Sequence, residues 1–325
     1  MVKFGLTLSN RGVITGASTL EDMVSLARQA DAAEAWDSIW VGDSILAKPR
    51  LDAITLLGGL ALQTERVRMG PACFASTPQR PALQLAYQWS SLDFMSGGRT
   101  IFVACQGQRA AGGGNFAEEF EALQIEPGSR MKRMEEAIEI MRLTTAQADV
   151  SYTGEYNRFE HVTIEPRPVQ QPVPIWVTSN PRPEHKKLRE RGLRRAARLG
   201  DGWMTTGQTP EIVAEYLADI RRYAEEDGRA LPDDYEVCVY YNINVNADRE
   251  EALAESKKYL DAYYTTDYAR EFLEMWVAAG PPERCVDEIQ RFIDAGATTI
   301  TLRLVGFNQE DQFRRVTTEV LPAFA

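Results

Sequence analysis

The sequence predicts an α/β fold, a (β/α)8 TIM barrel, with residues 1–325 in one domain. Three observations carry the prediction. Short β-type runs alternate with amphipathic helical runs eight times along the chain. Several of the β-type runs are almost wholly apolar, as parallel strands buried on both faces are. The chain is also long for one domain, at 325 residues with 44% apolar, unless that domain is a barrel. A doubly wound sheet is the alternative, but no GxGxxG follows the first strand.

The elements follow in order. Lys3–Leu8 is the first strand. Thr19 stands before "LEDM" and can cap a helix over Leu20–Ala35, with Asp22 at its third position. Ser38–Val41 is the second strand, and Gly42 ends it. A helix over Ala53–Gln63 leads to the third, Val67–Cys73. Pro81 opens a helix to Met95, and Gly97–Gly98 turn the chain into the fourth strand, Thr100–Cys105. After the helix Arg130–Thr144, Val150–Ile164 alternates around "TGEY" and reads as a hairpin. Val173–Thr178 is the fifth strand and Leu188–Leu199 the next helix. The run "KKLRERGLRRAAR" on that helix is most simply a solvated face, with anion binding as the sharper reading. Gly202–Thr205 is the sixth strand. Pro210 then introduces a helix over Glu211–Asp227, and Glu236–Val245 is the seventh strand. Helices over Glu250–Tyr263 and Pro282–Ala295 precede the eighth strand, Thr298–Val305, and Gln309–Val320 closes the chain. Three segments exceed the simple count, the hairpin Val150–Ile164 and two insertions. Ala110–Phe120, after strand four, carries the Gly112–Gly114 joint. Tyr264–Gly280, after strand seven, is rich in aromatics and is expected to act as a lid.

Composition excludes several functions. The formal charge is -11, and no basic stripe interleaves with aromatics, so no nucleic-acid partner is expected. No apolar run approaches the roughly 20 residues of a membrane helix, so no membrane partner is expected either. The stretch "MVKFGLTLSNRG" is too short in apolar residues for a signal peptide, which points to the cytoplasm. Cys73, Cys105, Cys238 and Cys285 form no CxxC pair, and only His161 and His185 could join them. They read as free thiols, with no metal site.

In such a barrel function sits at the C-terminal ends of the strands. Those ends carry Ser9 and Asn10, Asp43 and Ser44, Cys73, Gln106 and Gln108, Thr178 to Asn180, Thr205 to Gly207, Asn242 and Asn244, and Arg303. The ring is polar and mostly uncharged, with Trp40, Trp176, Trp203 and Tyr241 as neighbours. It suits a flat hydrogen-bonding heterocycle, such as a flavin, better than a metal ion.

Several stretches, taken in order, resemble one family. They are "WDSIWVGD", "LLGGLALQTERVRMGPACF", "LDFMSGGR", "EPRPVQQPVPIWV" and "GDGWM". The chain is similar to the bacterial-luciferase-like flavin-dependent oxidoreductases, which share a (β/α)8 barrel. The resemblance implies a cofactor phosphate held by the loops after strands five and six, here Thr178, Ser179, Asn180, Thr205 and Thr206. It also implies a non-prolyl cis peptide behind the flavin ring, matching Ala72–Cys73, and Gln106 near the cofactor. The candidate catalytic residues are Asp43, Ser44 and Gln108.

The sequence departs from the family at several of these positions. Ser44 stands where several members have a His, and Gln108 where sugar-phosphate dehydrogenases have a Glu. Gln208 replaces their phosphate-binding lysine, and Gln106 an arginine of FMN-type members. The leading expectation is a two-component monooxygenase. It would take reduced FMN from a separate flavin reductase and use oxygen on a small organic substrate. The alternatives are a reductase or dehydrogenase dependent on the deazaflavin coenzyme F420, and a non-catalytic flavin-binding barrel. Asp43 either faces the flavin or serves the structure, through a cap or a pair with Arg50. A homodimer is expected, because "PALQLAYQWSSLDFM" carries more apolar bulk than one buried stripe needs.

Overall fold

A computed structural model describes residues 2–108 and 114–325. The Gly112–Gly114 joint falls largely outside them. The strands are β1 (Lys3–Leu8), β2 (Ser38–Val41), β3 (Arg68–Pro71), β4 (Phe102–Ala104), β5 (Val150–Thr153), β6 (Arg158–Val162), β7 (Ile175–Thr178), β8 (Gly202–Thr206), β9 (Glu236–Val245), β10 (Val277–Gly280) and β11 (Thr299–Leu304). The helices are α1 (Gly12–Thr15), α2 (Leu20–Ala32), α3 (Ala53–Ala61), α4 (Ala82–Ser96), α5 (Phe116–Ala122), α6 (Arg130–Ala146), α7 (Lys186–Leu199), α8 (Pro210–Glu226), α9 (Arg249–Tyr264), α10 (Arg270–Trp276), α11 (Pro282–Asp294) and α12 (Gln309–Arg315).

Eight strands run parallel in the order β3-β2-β1-β11-β9-β8-β7-β4. Backbone bonds then tie β3 to β4. Ile101 N–H donates to the Met69 carbonyl at 2.9 Å, and Phe74 N–H to the Val103 carbonyl at 2.9 Å. The barrel expected from the eight-fold alternation is therefore present, with β5 and β6 as the expected hairpin off the sheet.

Two layers of core hold it. Strand and helix side chains fill the outer layer. Inside the barrel, Trp40, Ile101, Val103, Trp176, Met204 and Cys238 form a plug. The Trp40 and Trp176 rings lie 5.3 Å apart. They fit because two facing positions are glycine: a Cβ on Gly5 would strike the Trp40 indole, and one on Gly202 the Trp176 indole. The N-terminal end is sealed by Arg68, which pairs with Asp37 at 2.7 Å and with Glu236 at 2.5 Å. Thr299 and Lys3 also reach Glu236. The plug and the seal leave the C-terminal end as the open face.

The insertion after β9 differs from the expectation. Its tail, "VAAG", is a strand: β10 pairs with β9 in parallel, Val277 opposite Asn242. Trp276 is buried, and its indole N–H donates to the Thr206 hydroxyl at 2.8 Å. Tyr263, Tyr264, Tyr268, Phe272 and Trp276 stack in one continuous row. Both ends of the segment are therefore built into the barrel wall. Four apolar residues with no alternation give no phase from which a strand can be read.

Candidate functional site

A cavity of about 840 Å³ opens at the C-terminal ends of the strands. Asp43, Ser44, Ala72, Cys73, Gln106, Gln108, Thr178, Ser179, Asn180, Thr205 and Thr206 all line it. Ala72, Cys73 and Met204 join its floor to the indole plug below. The Ala72–Cys73 peptide is cis and non-prolyl.

The corner formed by β7, β8 and α7 has unused donors. The Thr178 and Thr205 hydroxyls are buried and have no hydrogen-bond partner. Ser179 packs against Gly192 of α7 so closely that a Cβ there would lie 2.5 Å from its Oγ. Small hydroxyl donors beside an open space fit an oxyanion. Thr206 is a correction. Its hydroxyl donates to the Tyr240 carbonyl at 2.9 Å and accepts from Trp276, and its N–H donates to Asn180 Oδ1 at 3.1 Å. These two residues brace the corner and leave Thr178, Ser179 and Thr205 lining the cavity. Beyond the corner, Arg182, His185, Arg191 and Arg195 line the mouth. The basic run of α7 thus faces the cavity as well as solvent, and Arg195 is also paired with Glu135 at 2.8 Å.

Asp43 sits on the opposite wall. Its Oδ2 accepts from the Ser76 N–H at 2.7 Å, and Arg80 lies 3.6 Å from its Oδ1. The ion-pair partner is therefore Arg80, where the sequence suggested Arg50. Oδ1 has no hydrogen-bond partner. Burial pushes the carboxyl above the usual aspartate range, against the pull of Arg80 and Ser76. Ser44 serves the loop: its Oγ accepts from the Lys48 N–H at 2.9 Å and lies 3.5 Å from buried Glu119. Glu119 also accepts from the Ala47 N–H at 2.7 Å and from Gln79 Nε2 at 2.7 Å. Gln106 and Gln108 stand on the rim after β4, with Gln108 exposed.

Other strand-end residues turn away from the cavity. The Asn10 side chain bonds the Gly42 N–H and carbonyl, and the Asn242 amide bonds the Trp276 carbonyl. Asn244 donates to Glu255 at 2.8 Å. Tyr241 packs outward on Phe292, and Trp203 outward on Tyr216. Their neighbour Tyr240 faces the cavity instead. β9 is apolar on both faces, so its sequence fixes no phase.

The sequence reading named Arg50 and Arg303 but missed Lys48, and did not bring the three together beside Asp43. Lys48, Arg50, Tyr264 and Arg303 complete that wall. Lys48 Nζ sits 4.9 Å from the Tyr264 ring centroid. Burial, and then Arg50, Arg11 and Arg303, bring its pKa down to about 8. One signal was available: Lys48 and Arg50 follow Asp43 within one loop, "GDSILAKPR".

The comparisons place this geometry in a family. A family model described as luciferase-like monooxygenase matches residues 2–299. The chain is 24% identical to an F420-dependent glucose-6-phosphate dehydrogenase of Amycolatopsis mediterranei, covering 93% of each chain. A solved F420-dependent secondary alcohol dehydrogenase, bound to an F420-acetone adduct, shares the fold with a TM-score of 0.81 at 16% identity. It covers 100% of this chain and 99% of that one. A monooxygenase from Streptomyces bottropensis shares it at a TM-score of 0.78 and 22% identity, covering 99% and 100%. The match over 2–299 takes in every strand up to the first residue of β11, and the chain belongs to the luciferase-like monooxygenase family.

Proposed function

We propose that this oxidoreductase binds a deazaflavin of the F420 type and exchanges hydride between it and a small organic substrate. The cofactor, when bound, supplies the hydride chemistry. One observation carries the reading: the mouth beside the hydroxyl corner is lined by Arg182 and Arg191, with Arg195 behind them on Glu135. A deazaflavin of this type bears a phosphodiester and an acidic tail beyond it. FMN ends at one phosphate and has no use for a row of cations outside the corner. The F420-dependent names of the relatives support the same choice. They back the deazaflavin alternative better than the reduced-FMN monooxygenase that the sequence put first, and with it no separate flavin reductase is needed.

The chain's own residues have separable tasks in this reading. Thr178, Ser179 and Thr205 donate to the phosphate, and the arginines of the mouth meet the carboxylates beyond. Asp43 holds a proton at Oδ1, which has no other hydrogen-bond partner and is buried. The indole plug below and the tyrosines beside it exclude water from that wall.

The test is a titration of the purified protein with each cofactor, read by quenching of tryptophan fluorescence. Trp40 and Trp176 lie just under the floor. The reading expects deazaflavin to bind at least tenfold more tightly than FMN, and the gap to narrow as salt screens the mouth. Equal or tighter binding of FMN would refute it.

A further inference from the structure

We propose that the wall formed by Lys48, Arg50 and Arg303 seats an oxyanion of the substrate, so that the substrate is a small organic carboxylate or phosphate ester. The proposal rests on reading the cavity as a cofactor and substrate site, and adds the substrate's class.

Two arginines at opposite ends of the barrel set the contrast. Arg68, at the sealed end, has Asp37 and Glu236 as partners. Arg303 is only 1% exposed, and its hydrogen-bond partners are phenol hydroxyls, with no carboxylate among them. Its Nη1 donates to the Tyr264 hydroxyl at 2.6 Å and its Nη2 to the Tyr263 hydroxyl at 3.4 Å, while Nε has no partner. The guanidinium carbon lies 4.1 Å from the Tyr263 ring centroid and 5.0 Å from that of Tyr240. Arg50 donates to the Lys48 carbonyl at 2.9 Å and to the Tyr263 hydroxyl at 3.4 Å. Arg11, 6% exposed, reaches the Pro49 carbonyl at 3.4 Å and leaves its Nε unpaired. Among the described residues no carboxylate forms an ion pair with Arg11, Arg50 or Arg303. Asp43, the acid on the cavity wall, is tied to Ser76 and Arg80.

Burying charge without a counter-charge is costly, and chains keep such groups where a ligand completes them. This chain carries 47 acidic residues against 36 basic ones, so it had acids to place here. The donors are also aimed for an anion. The Tyr263 hydroxyl accepts from Arg303 and Arg50, so its proton points away from both guanidinium groups, while the Tyr264 hydroxyl accepts from Arg303 and lies 3.3 Å from the Tyr240 hydroxyl. Gly42 lies where a Cβ would displace the Arg50 guanidinium. The hydroxyl corner is on β7 and β8, whereas Lys48 and Arg50 follow β2, across the ring from β8, and Arg303 is on β11, two strands from β8. Cofactor phosphate and substrate anion therefore occupy separate parts of the ring, with β9 between them on one side.

The rival account puts the counter-charge on Tyr263 itself. Arg303, Arg50 and Arg11 draw its phenol below the usual tyrosine range, against its burial. Calorimetric titration of the cofactor-free protein decides between the two, with sodium phosphate and sodium acetate in turn at constant ionic strength. The proposal expects at least one of them to bind the parent at a site that Arg50→Gln and Lys48→Met each weaken about tenfold or more. The double variant Thr178→Val, Thr205→Val keeps that site and loses only phosphate bound at the other corner. Binding of acetate assigns a carboxylate substrate, and binding of phosphate alone a phosphate ester. The proposal is overturned if neither anion binds, or if Arg50→Gln and Lys48→Met leave binding unchanged. It also fails if the parent shows phenolate absorbance at neutral pH that Tyr263→Phe removes. Failure of deazaflavin to bind would count against the cofactor reading and leave this result standing.

Discussion

Replacing Lys48 by Met should make the ligand-free protein more stable, although it deletes a wall residue of the site. Lys48 is 3% exposed, and its pKa falls from 10.5 to about 8, first by burial and then by three neighbouring arginines. At about 1.36 kcal/mol per pH unit, the charged form is held in the folded protein at a cost of roughly 3 kcal/mol. Methionine removes that cost and keeps most of the volume. It loses the cation–π contacts to Tyr264 at 4.9 Å and to Phe116 at 5.5 Å. Those contacts are worth about 0.5–1 kcal/mol each. The net expectation is a gain of about 1–2 kcal/mol at pH 7, or a rise in Tm of about 2–3 °C for a chain of this length. The sign with pH is equally specific. The folded pKa lies below the unfolded one, so between pH 8 and 10.5 the unfolded chain binds more protons. The parent must therefore gain stability relative to the variant as pH rises through that window. Urea denaturation of both proteins at pH 7, 8, 9 and 10 measures it. A variant less stable than the parent at pH 7, or a difference that stays constant with pH, would refute the reasoning.

Four further outcomes follow from the same geometry. Thr178→Val with Thr205→Val should weaken cofactor binding at least tenfold, since each lost bond to a phosphate is worth about 1.5–3 kcal/mol; fluorescence titration reads it. Asp43→Asn should lower turnover far more than cofactor affinity, because Oδ1 has no hydrogen-bond partner and Arg80, 3.6 Å from it, keeps Asp52 at 2.6 Å; steady-state kinetics beside the titration separates the two effects. Gly192→Ala should push the Ser179 side chain out of its place and weaken cofactor binding while leaving Tm within a few degrees; the same titration and a melting curve check it. On α4, Tyr87 is 49%, Phe94 58% and Met95 45% exposed. Light scattering should therefore give twice the mass of one 36.5 kDa chain, and Phe94→Asp should shift it toward one.

Local pattern determined much of this protein. The spans of β1, β2 and β9 are readable to the residue, because apolar runs ended by Gly or polar residues hold their meaning wherever they pack. The Thr19 cap with Asp22 is likewise a local arrangement, and it forms as its spacing requires. Eight alternations imply one closed ring, and a ring implies where its ends converge, so the expected wall residues meet in one cavity. What the tertiary structure alone decided is direction and partnership. β9 and β11 are buried on both faces, so nothing local says that Tyr240 and Arg303 turn inward while Tyr241 turns away. Thr206 is the right kind of residue in the right loop, but its hydroxyl is taken by a carbonyl 34 positions on and an indole 70 positions on. Arg303 and Arg68 are the same residue in sequence. They differ because Arg68 meets two acids brought by β9 and the start of β2, and Arg303 meets three tyrosines. Charge balance is summed over neighbours that only the closed barrel assembles, and for that reason the unbalanced wall was invisible in the chain.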